Sequence, residues 1–466
     1  TEPAEKAKEI AFADYELTME AMDGDTTALV REALGRDALP VEKKTKSGVK
    51  EVDIRPHLQG LSVERQGERC LVKVTLPCAC VFATRRCSSL HKNKNHYYRR
   101  RGKMDPIKYV LIGCGRIAST HLRAALCYKE DIKVAAVCEV VPGKAENLLK
   151  SLGREAEGIR CYSDYKEMLR VERPDVAAVT TESGYHAAVA LDCIEAGVHV
   201  FIEKPIALSL QDADRIIEAA ERKGVTVCCC HQNRFNKAIA RTRQALEEGR
   251  FGKLLYGAIQ VRWHRGEAYY KEGDWRGTWE LDGGALMNQC IHGIDLLRWM
   301  MGDEVDEVFA YTDNLVHGYI QAEDLGVAVV KFKNGAYGII EGTTDIFEQD
   351  FEETLSVFGE KGTVKAGGIC VNRLEQWRFG DKDEDVEKIC EESVEDPSNV
   401  YGFGHVSLYA DMIRALKTHT KPYVDAYAGR RALEMVLAIY LSAARHQPVK
   451  LPLGDVSTTD FIGRFG

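Results

Sequence analysis

The stretch Ile107-Lys-Tyr-Val-Leu-Ile-Gly113-Cys-Gly115-Arg-Ile-Ala118 decides the fold. Its first half is a near-continuous apolar run of strand length, and the glycines that close it lead directly into a helical pattern from Ala118 to Tyr128. A glycine fingerprint alone is a weak signal. With a strand before it and a helix after it, the loop reads as the phosphate loop of a dinucleotide-binding unit. Gly113 permits the tight turn, Gly115 lets the backbone approach a pyrophosphate, and Ala118 lets the helix lie close on the sheet. Arg116 and Ile117 complete the loop, and the unpaired N–H groups of the helix N-terminus meet the phosphate charge.

Outward from this loop, strand and helix alternate. Strands are expected at Lys133–Cys138, Val176–Thr180, His199–Ile202 and Val225–Cys229, with helices at Pro142–Leu152, Tyr185–Ala196 and Leu208–Lys223 between them. Unbroken apolar strands divided by amphipathic helices predict a doubly wound parallel sheet covered on both faces. Glu139, at the tip of the second strand, stands where a carboxylate accepts the ribose hydroxyls of a dinucleotide and repels a 2′-phosphate. The next basic side chain is Lys144, so NAD is expected rather than NADP. After Lys253 the pattern changes to longer alternating strands such as Leu254–Trp263, Gly326–Phe332, Ala336–Thr343 and Thr354–Phe358, joined by turns such as Asn334-Gly335. Helices return at Ala285–Met301, His405–Lys417 and Gly429–Arg445. The fold class is therefore α/β, with a Rossmann domain over residues 104–230. An α+β domain with a large open, mainly antiparallel sheet follows over residues 231–466.

Two further stretches carry chemistry. Glu203-Lys204-Pro205 follows a strand at the carboxyl edge of the sheet, where open α/β folds bind ligands. Gly283-Gly-Ala-Leu-Met-Asn288-Gln-Cys-Ile-His292-Gly-Ile-Asp295 begins a helix, and its Asn288, His292 and Asp295 are spaced to share one face. Histidine titrates near neutral pH, which suits a group that takes a hydroxyl proton and returns it. An ammonium at Lys204 can donate to a reacting oxygen and offset charge developing there. Asp295, one turn on, is placed either to orient the His292 ring or to pair elsewhere.

Together with the glycine loop, Thr180 to His186 and Arg234-Phe235, these stretches resemble the Gfo/Idh/MocA family of sugar and inositol dehydrogenases over essentially all of Met104–Gly466. The resemblance implies that Lys204 faces both substrate and nicotinamide, with His292 as proton acceptor, and that Thr180, Glu182, His186, Glu203 and Lys204 line the cofactor. The commonest family pattern has aspartate where this chain has Asn288, and an amide can hold a hydroxyl but cannot take its proton. Asparagine here is similar to the branch that oxidises C3 of UDP-linked N-acetylated sugars. The substrate rim is expected from Arg262-Trp263-His264, Tyr269-Tyr270 and Trp275-Arg276-Gly-Thr-Trp279, with Arg234, Asp295 and His405 as further candidates, since aromatic faces stack on sugar or uracil and arginine forks bind phosphate. The alternatives are a catalytically silent NAD-binding regulator of the same fold family and a glycosidase that uses bound NAD for transient oxidation.

The bulk properties agree. In 466 residues, 45% hydrophobic, the formal charge is −8 with basic and acidic residues interleaved, which offers no broad positive face for nucleic acid. No segment approaches the length of a membrane span, and the 15 cysteines are odd in number and scattered, as in a cytoplasmic chain with reduced thiols. Apolar side chains on the solvent-facing side of the second sheet, Val329, Tyr337 and Ile339, predict a homodimer or homotetramer.

Residues 1–103 have a different character and are read as an N-terminal extension that packs poorly. Helix is expected over most of Glu5–Leu34 and strands at Glu51–Ile54 and Cys70–Leu76, and the cysteines Cys70, Cys78, Cys80 and Cys87 lack the paired spacing of zinc sites. No metal is expected. The stretch Val41–Pro56 resembles the end of an uncharacterised domain found with radical-SAM proteins. Arg100-Arg-Gly-Lys103, just before Met104, is what a purine-rich ribosome-binding sequence encodes, so the extension is read as read-through from a neighbouring gene.

Overall fold

A computed structural model divides the chain into two compact units, Thr1–Lys103 and Met104–Gly466. It describes residues 105–380, 384–395 and 402–465, and in the first unit the backbone of five strands. Phe12–Glu20, Arg69–Pro77 and Gly60–Gln66 form an antiparallel sheet, and Pro40–Thr45 pairs with Gly48–Asp53. The expected strands at Glu51 and Cys70 fall on these elements. The expected helix over Glu5–Leu34 is corrected at Phe12–Glu20, which pairs along its whole length with Arg69–Pro77. Alternation in Phe-Ala-Asp-Tyr-Glu-Leu suits a strand once a partner is available, so non-local pairing overrides local helix preference. The rest of that helix and the stretch Cys78–Lys103 lie outside the described residues.

The second unit begins with six parallel strands, β1 (Ile107–Ile112), β2 (Ile132–Cys138), β3 (Arg160–Tyr162), β4 (Val176–Val179), β5 (His199–Ile202) and β6 (Val227–Cys229). Their spatial order is β3-β2-β1-β4-β5-β6. Chain order thus reverses between β1 and β4, which opens a crevice at the carboxyl ends of those two strands. The central strands are buried on both faces, as at Val110, Leu111 and Val176 to Val179. The helix Leu210–Lys223 shows the local logic: Ser209 caps its first turn by accepting from Asp212 N, and Gly224 ends it in a left-handed conformation. Leu210, Ala213, Ile216, Ile217 and Ala220 form its buried stripe.

The second sheet has eight strands: β7 (Leu254–Arg262), β8 (Val305–Asp313), β9 (Leu325–Phe332), β10 (Tyr337–Thr343), β11 (Glu352–Gly359), β12 (Gly362–Gly367), β13 (Arg373–Phe379) and β14 (Val449–Lys450). They are ordered β13-β12-β11-β7-β10-β9-β8-β14, with only the β7–β10 pair parallel. One face carries Ile259, Val261, Ala328, Val330 and Ile340 into the core under the helix Ile291–Met301. That helix lies unusually close: a side chain at Gly257 would meet Met301 Sδ at 2.7 Å, and one at Gly293 would meet Ile259 at 2.7 Å. The other face leaves Val327, Val329, Tyr337 and Ile339 exposed.

The last two long helices tie the sheets together. Gly404–Thr418 packs on the first Rossmann helix, Ala118–Leu126, and Ala426–Arg445 is wedged between β8 and Leu210–Lys223. Among the described residues no helix is long and apolar enough to cross a membrane, and every cysteine is a free thiol.

Candidate active site

The glycine loop leaves β1 at Gly113, whose φ of +97° only glycine adopts readily, and a Cβ there would lie 2.6 Å from Thr180 O. Thr180, at the end of β4, clamps the turn with its hydroxyl, which donates to Gly113 O at 2.7 Å. Glu139, at the end of β2, accepts from Cys114 N at 2.8 Å and from Val141 N at 3.1 Å, and pairs with Lys144 at 3.4 Å. Thus the ends of β1, β2 and β4 converge on one loop. At Gly115 a Cβ would find nothing nearer than Thr180 O at 4.0 Å, and the helix from Ala118 has no side-chain cap. This is an open cradle of N–H groups suited to a pyrophosphate.

Across the crevice, Lys204 follows β5, and its peptide bond to Pro205 is cis. Its Nζ donates to Asn288 O at 2.5 Å. Burial lowers its pKa, with Glu203 and Asp282 opposing that and Arg276 and Arg265 adding to it. His186 is buried between two carbonyls, Pro205 O at 2.8 Å and Thr181 O at 3.1 Å, so it braces this turn. Glu182, partly buried, has its carboxyl pKa raised by burial.

The expected helix from Ala285 is a π-helical turn over Leu286–Cys290 that passes into α-helix at Ile291. Such a turn is frequent at functional sites because it re-aims side chains. Asn288 donates to Asp282 Oδ1, while its own Oδ1 accepts from Gln289 Nε2 at 2.6 Å. His292 is 6% exposed; burial, then the Lys204 charge, holds its pKa well below the ordinary value, so the ring is neutral. Its Nδ1 is buried without a hydrogen-bond partner, as are both ring nitrogens of His231 and Gln232 Oε1, while His405 Nε2 lies 3.7 Å from Glu203 Oε1. Unpaired buried polar atoms are costly in a finished core, and such a set around Lys204 fits a polyhydroxylated ligand.

The remaining expected rim residues are placed as follows. Arg234 and Asp295 bond each other through two 2.7 Å contacts, and Arg298 joins at 3.1 Å. Asp295 therefore takes the pairing role, away from the His292 ring. Arg262 forks onto Glu341 at 2.6 and 2.7 Å and onto Glu352 at 2.6 Å. Trp263 is buried with its N–H on Ile369 O, and the Tyr270 hydroxyl meets Thr344 Oγ1 at 3.1 Å. Trp275 lies under Arg276, which is 4.2 Å from the Tyr269 ring centre. Arg265 and Arg116 also approach that ring, at 5.6 and 5.4 Å. The segment bearing these residues crosses to the Rossmann edge, where Gly184 N donates to Leu281 O at 2.9 Å. Tyr269 and Arg276 were expected at the rim, whereas sequence reasoning missed Arg265, Gln289 and Asp282. Of these, only the density of aromatic and arginine residues in that segment was a signal.

Residues 107–231 match the Gfo/Idh/MocA oxidoreductase family's NAD-binding Rossmann fold, and residues 243–451 match its C-terminal α/β domain. Residues 2–85 match a family described as an uncharacterised protein conserved in bacteria, a wider span than Val41–Pro56 suggested. The WlbA dehydrogenase of Bordetella pertussis, solved with NADH and UDP-GlcNAcA, is 36% identical with a TM-score of 0.69, over 75% of this chain and 99% of that one. The Chromobacterium WlbA structure with the same ligands is 33% identical, TM-score 0.68, over 75% and 97%. The myo-inositol 2-dehydrogenase of Thermotoga maritima is 27% identical over 73% of this chain and 97% of its own length. A glycine cradle, a buried lysine and a neutral buried histidine, on two domains that both match, make this chain a member of the Gfo/Idh/MocA family and an NAD-dependent sugar oxidoreductase.

Proposed function

We propose that the chain oxidises the C3 hydroxyl of a UDP-linked N-acetylated sugar bearing a carboxylate, with Lys204 and His292 at the reacting carbon. The observation that carries the reading is the pairing of a buried neutral His292 with a buried Lys204 amid unpartnered polar atoms. NAD, when bound, supplies the hydride acceptor. His292 takes the hydroxyl proton, Lys204 donates to the same oxygen as its C–O bond gains double-bond character, and Asn288 fixes a neighbouring hydroxyl. Gly113, Gly115, Arg116, Ile117, Ala118 and Thr180 hold the pyrophosphate end, and Glu139 the adenosine ribose. Glu182, His186 and Glu203 shape the nicotinamide end.

The substrate class rests on Asn288, on the ligand bound in the two WlbA structures, and on charge. Arg265, salt-bridged to Asp350 at 2.8 Å, and Arg276, 3.8 Å from Glu272, stand near Lys204 as guanidinium donors for the carboxylate or phosphate of such a sugar. Arg234, Arg262, Trp263, Tyr270 and Asp295 support the pocket wall through the contacts described rather than by touching the sugar. We further propose a homo-oligomer closed by the exposed face of β9 and β10, and a cytoplasmic location. Incubating the chain with NAD and a panel of UDP-sugars and free sugars, with NADH formation as readout, tests the reading. Turnover of free myo-inositol in preference to every UDP-sugar would refute the substrate assignment.

A further inference from the structure

A line of three buried side chains that this chemistry does not use leads through Glu203 to the Lys204 peptide. Tyr109, on β1, and Tyr409, on the helix Gly404–Thr418, hold their hydroxyls 2.7 Å apart. The Tyr409 hydroxyl lies 2.8 Å from His121 Nδ1, and His121 Nε2 lies 2.8 Å from Glu203 Oε1. The other carboxylate oxygen, Oε2, accepts the N–H of Lys204 at 3.1 Å. Tyr109, His121 and Tyr409 are fully buried and Glu203 is 6% exposed.

The donors in this line run in one direction. An ionised Glu203 can only accept, so the proton between it and His121 belongs to Nε2. A neutral His121 ring then accepts at Nδ1 from Tyr409, whose oxygen accepts from Tyr109. Every donor has an acceptor. A doubly protonated ring would turn the Tyr409 hydroxyl toward Tyr109, whose own proton would then find no acceptor among the described hydrogen bonds. A buried carboxylate stays ionised only when hydrogen bonds replace its hydration. Burial alone would raise the Glu203 pKa, but the contacts from His121 and His405 outweigh it and hold it well below the ordinary value.

Glu203 is also the largest influence holding the Lys204 side chain in its charged form. Of the groups around Lys204, Glu203 and Asp282 favour the ammonium and Arg276 and Arg265 oppose it, while the buried rings of His186, His231, His292 and His405 also lie within its field. Those that face Glu203 are His121, His405 and Cys230. We propose that His121, oriented by Tyr409 and Tyr109, is a positioning residue that keeps Glu203 ionised and so keeps Lys204 an ammonium. The proposal deepens the reading of Lys204 given above, but it concerns the charge of that side chain and holds for any substrate.

The test is the pH midpoint at which Lys204 becomes reactive to acetic anhydride in the full chain, read by peptide mass spectrometry, with the pH profile of kcat measured alongside. His121→Leu should lower the Lys204 midpoint, and the alkaline limb of kcat, by about one pH unit or more, the usual effect of losing a nearby counter-charge. His121→Gln, whose amide can still donate to Glu203, should restore most of the difference. Tyr409→Phe, nearly isosteric, should give a smaller shift of the same sign, and Tyr109→Phe the smallest. A purely packing role for His121 would lower kcat evenly across pH and leave both readouts in place. Unmoved midpoints in His121→Leu and Tyr409→Phe overturn the proposal, and so does a Gln variant as shifted as the Leu one. A wrong substrate assignment would silence the kcat arm and leave the labelling arm intact.

Discussion

Gly113 and Gly115 stand two residues apart in one loop, yet a methyl group should do opposite things at the two positions. At Gly113 the φ of +97° is unfavourable for alanine, at a cost of about 1–3 kcal/mol. The added Cβ would also sit 2.6 Å from Thr180 O, a backbone atom that cannot swing aside, which adds overpacking of about 1–3 kcal/mol. Gly113→Ala should therefore destabilise the Met104–Gly466 unit by about 2–6 kcal/mol and, at an unfolding entropy of about 2.1 cal/mol/K per residue, lower its calorimetric transition by roughly 3–8 °C. At Gly115 the nearest atom to an added Cβ is 4.0 Å away, and no positive φ is involved. Gly115→Ala should leave the transition unmoved and, by filling the space a pyrophosphate needs, weaken NAD tenfold or more, which is about 1.4 kcal/mol or above. Scanning calorimetry and titration calorimetry with NAD read the two effects separately. If Gly115→Ala binds NAD as the parent does, the cradle does not face the pyrophosphate and the cofactor assignment to this loop fails.

Three further outcomes follow. Lys204→Ala and His292→Ala should each cut turnover on the true substrate by about 10²–10⁴ with NAD affinity nearly intact, and near-normal turnover in either variant would remove that residue from the chemistry. Glu139→Ala should weaken NAD and narrow its advantage over NADP in titration calorimetry, because the carboxylate repels a 2′-phosphate; a parent protein that prefers NADP would contradict this. Val329→Lys with Ile339→Lys, on the exposed face of the second sheet, should lower the mass measured by light scattering without unfolding the chain, and a parent protein already monomeric at micromolar concentration would refute the oligomer.

The parallel sheet was legible because its strands are buried on both faces and carry nearly unbroken apolar runs between helices with clear stripes. The antiparallel sheet was legible for the opposite reason, the period of two in β9 and β10. Phe12–Glu20 was misread because its short alternation decides nothing without the partner strand, which lies 49 to 65 residues on. In the site, motif spacing singled out Lys204 and His292, and the structure buries both near one another. The fates of Arg234, Asp295 and Arg262 were not legible, since a guanidinium looks alike in sequence whether it awaits a phosphate or already holds a carboxylate. Which it does depends on pairs 61 and 79 residues apart.

Asn288 shows how a departure in sequence is compensated in space. The commoner family pattern would put a carboxylate at this position; here Asp282 stands one hydrogen bond behind it and accepts from the Asn288 amide. Burial pushes the Asp282 pKa up to about 6, while its bonds from Gly277 N and Asn288 pull the other way. The negative charge that would stand beside Lys204 is thus withdrawn by one side chain and partly neutralised. Two consequences follow from that shift. The amide, anchored at its nitrogen by Asp282, presents its oxygen to Gln289 and Tyr269 and is fixed in orientation. Lys204 then depends more on Glu203 for its counter-charge, so the line from Tyr109 to Glu203 carries more weight in this chain than it would with aspartate at 288. Asn288→Asp should accordingly lessen the effect of His121→Leu on the Lys204 midpoint, and equal shifts in both backgrounds would show that the two carboxylates act independently.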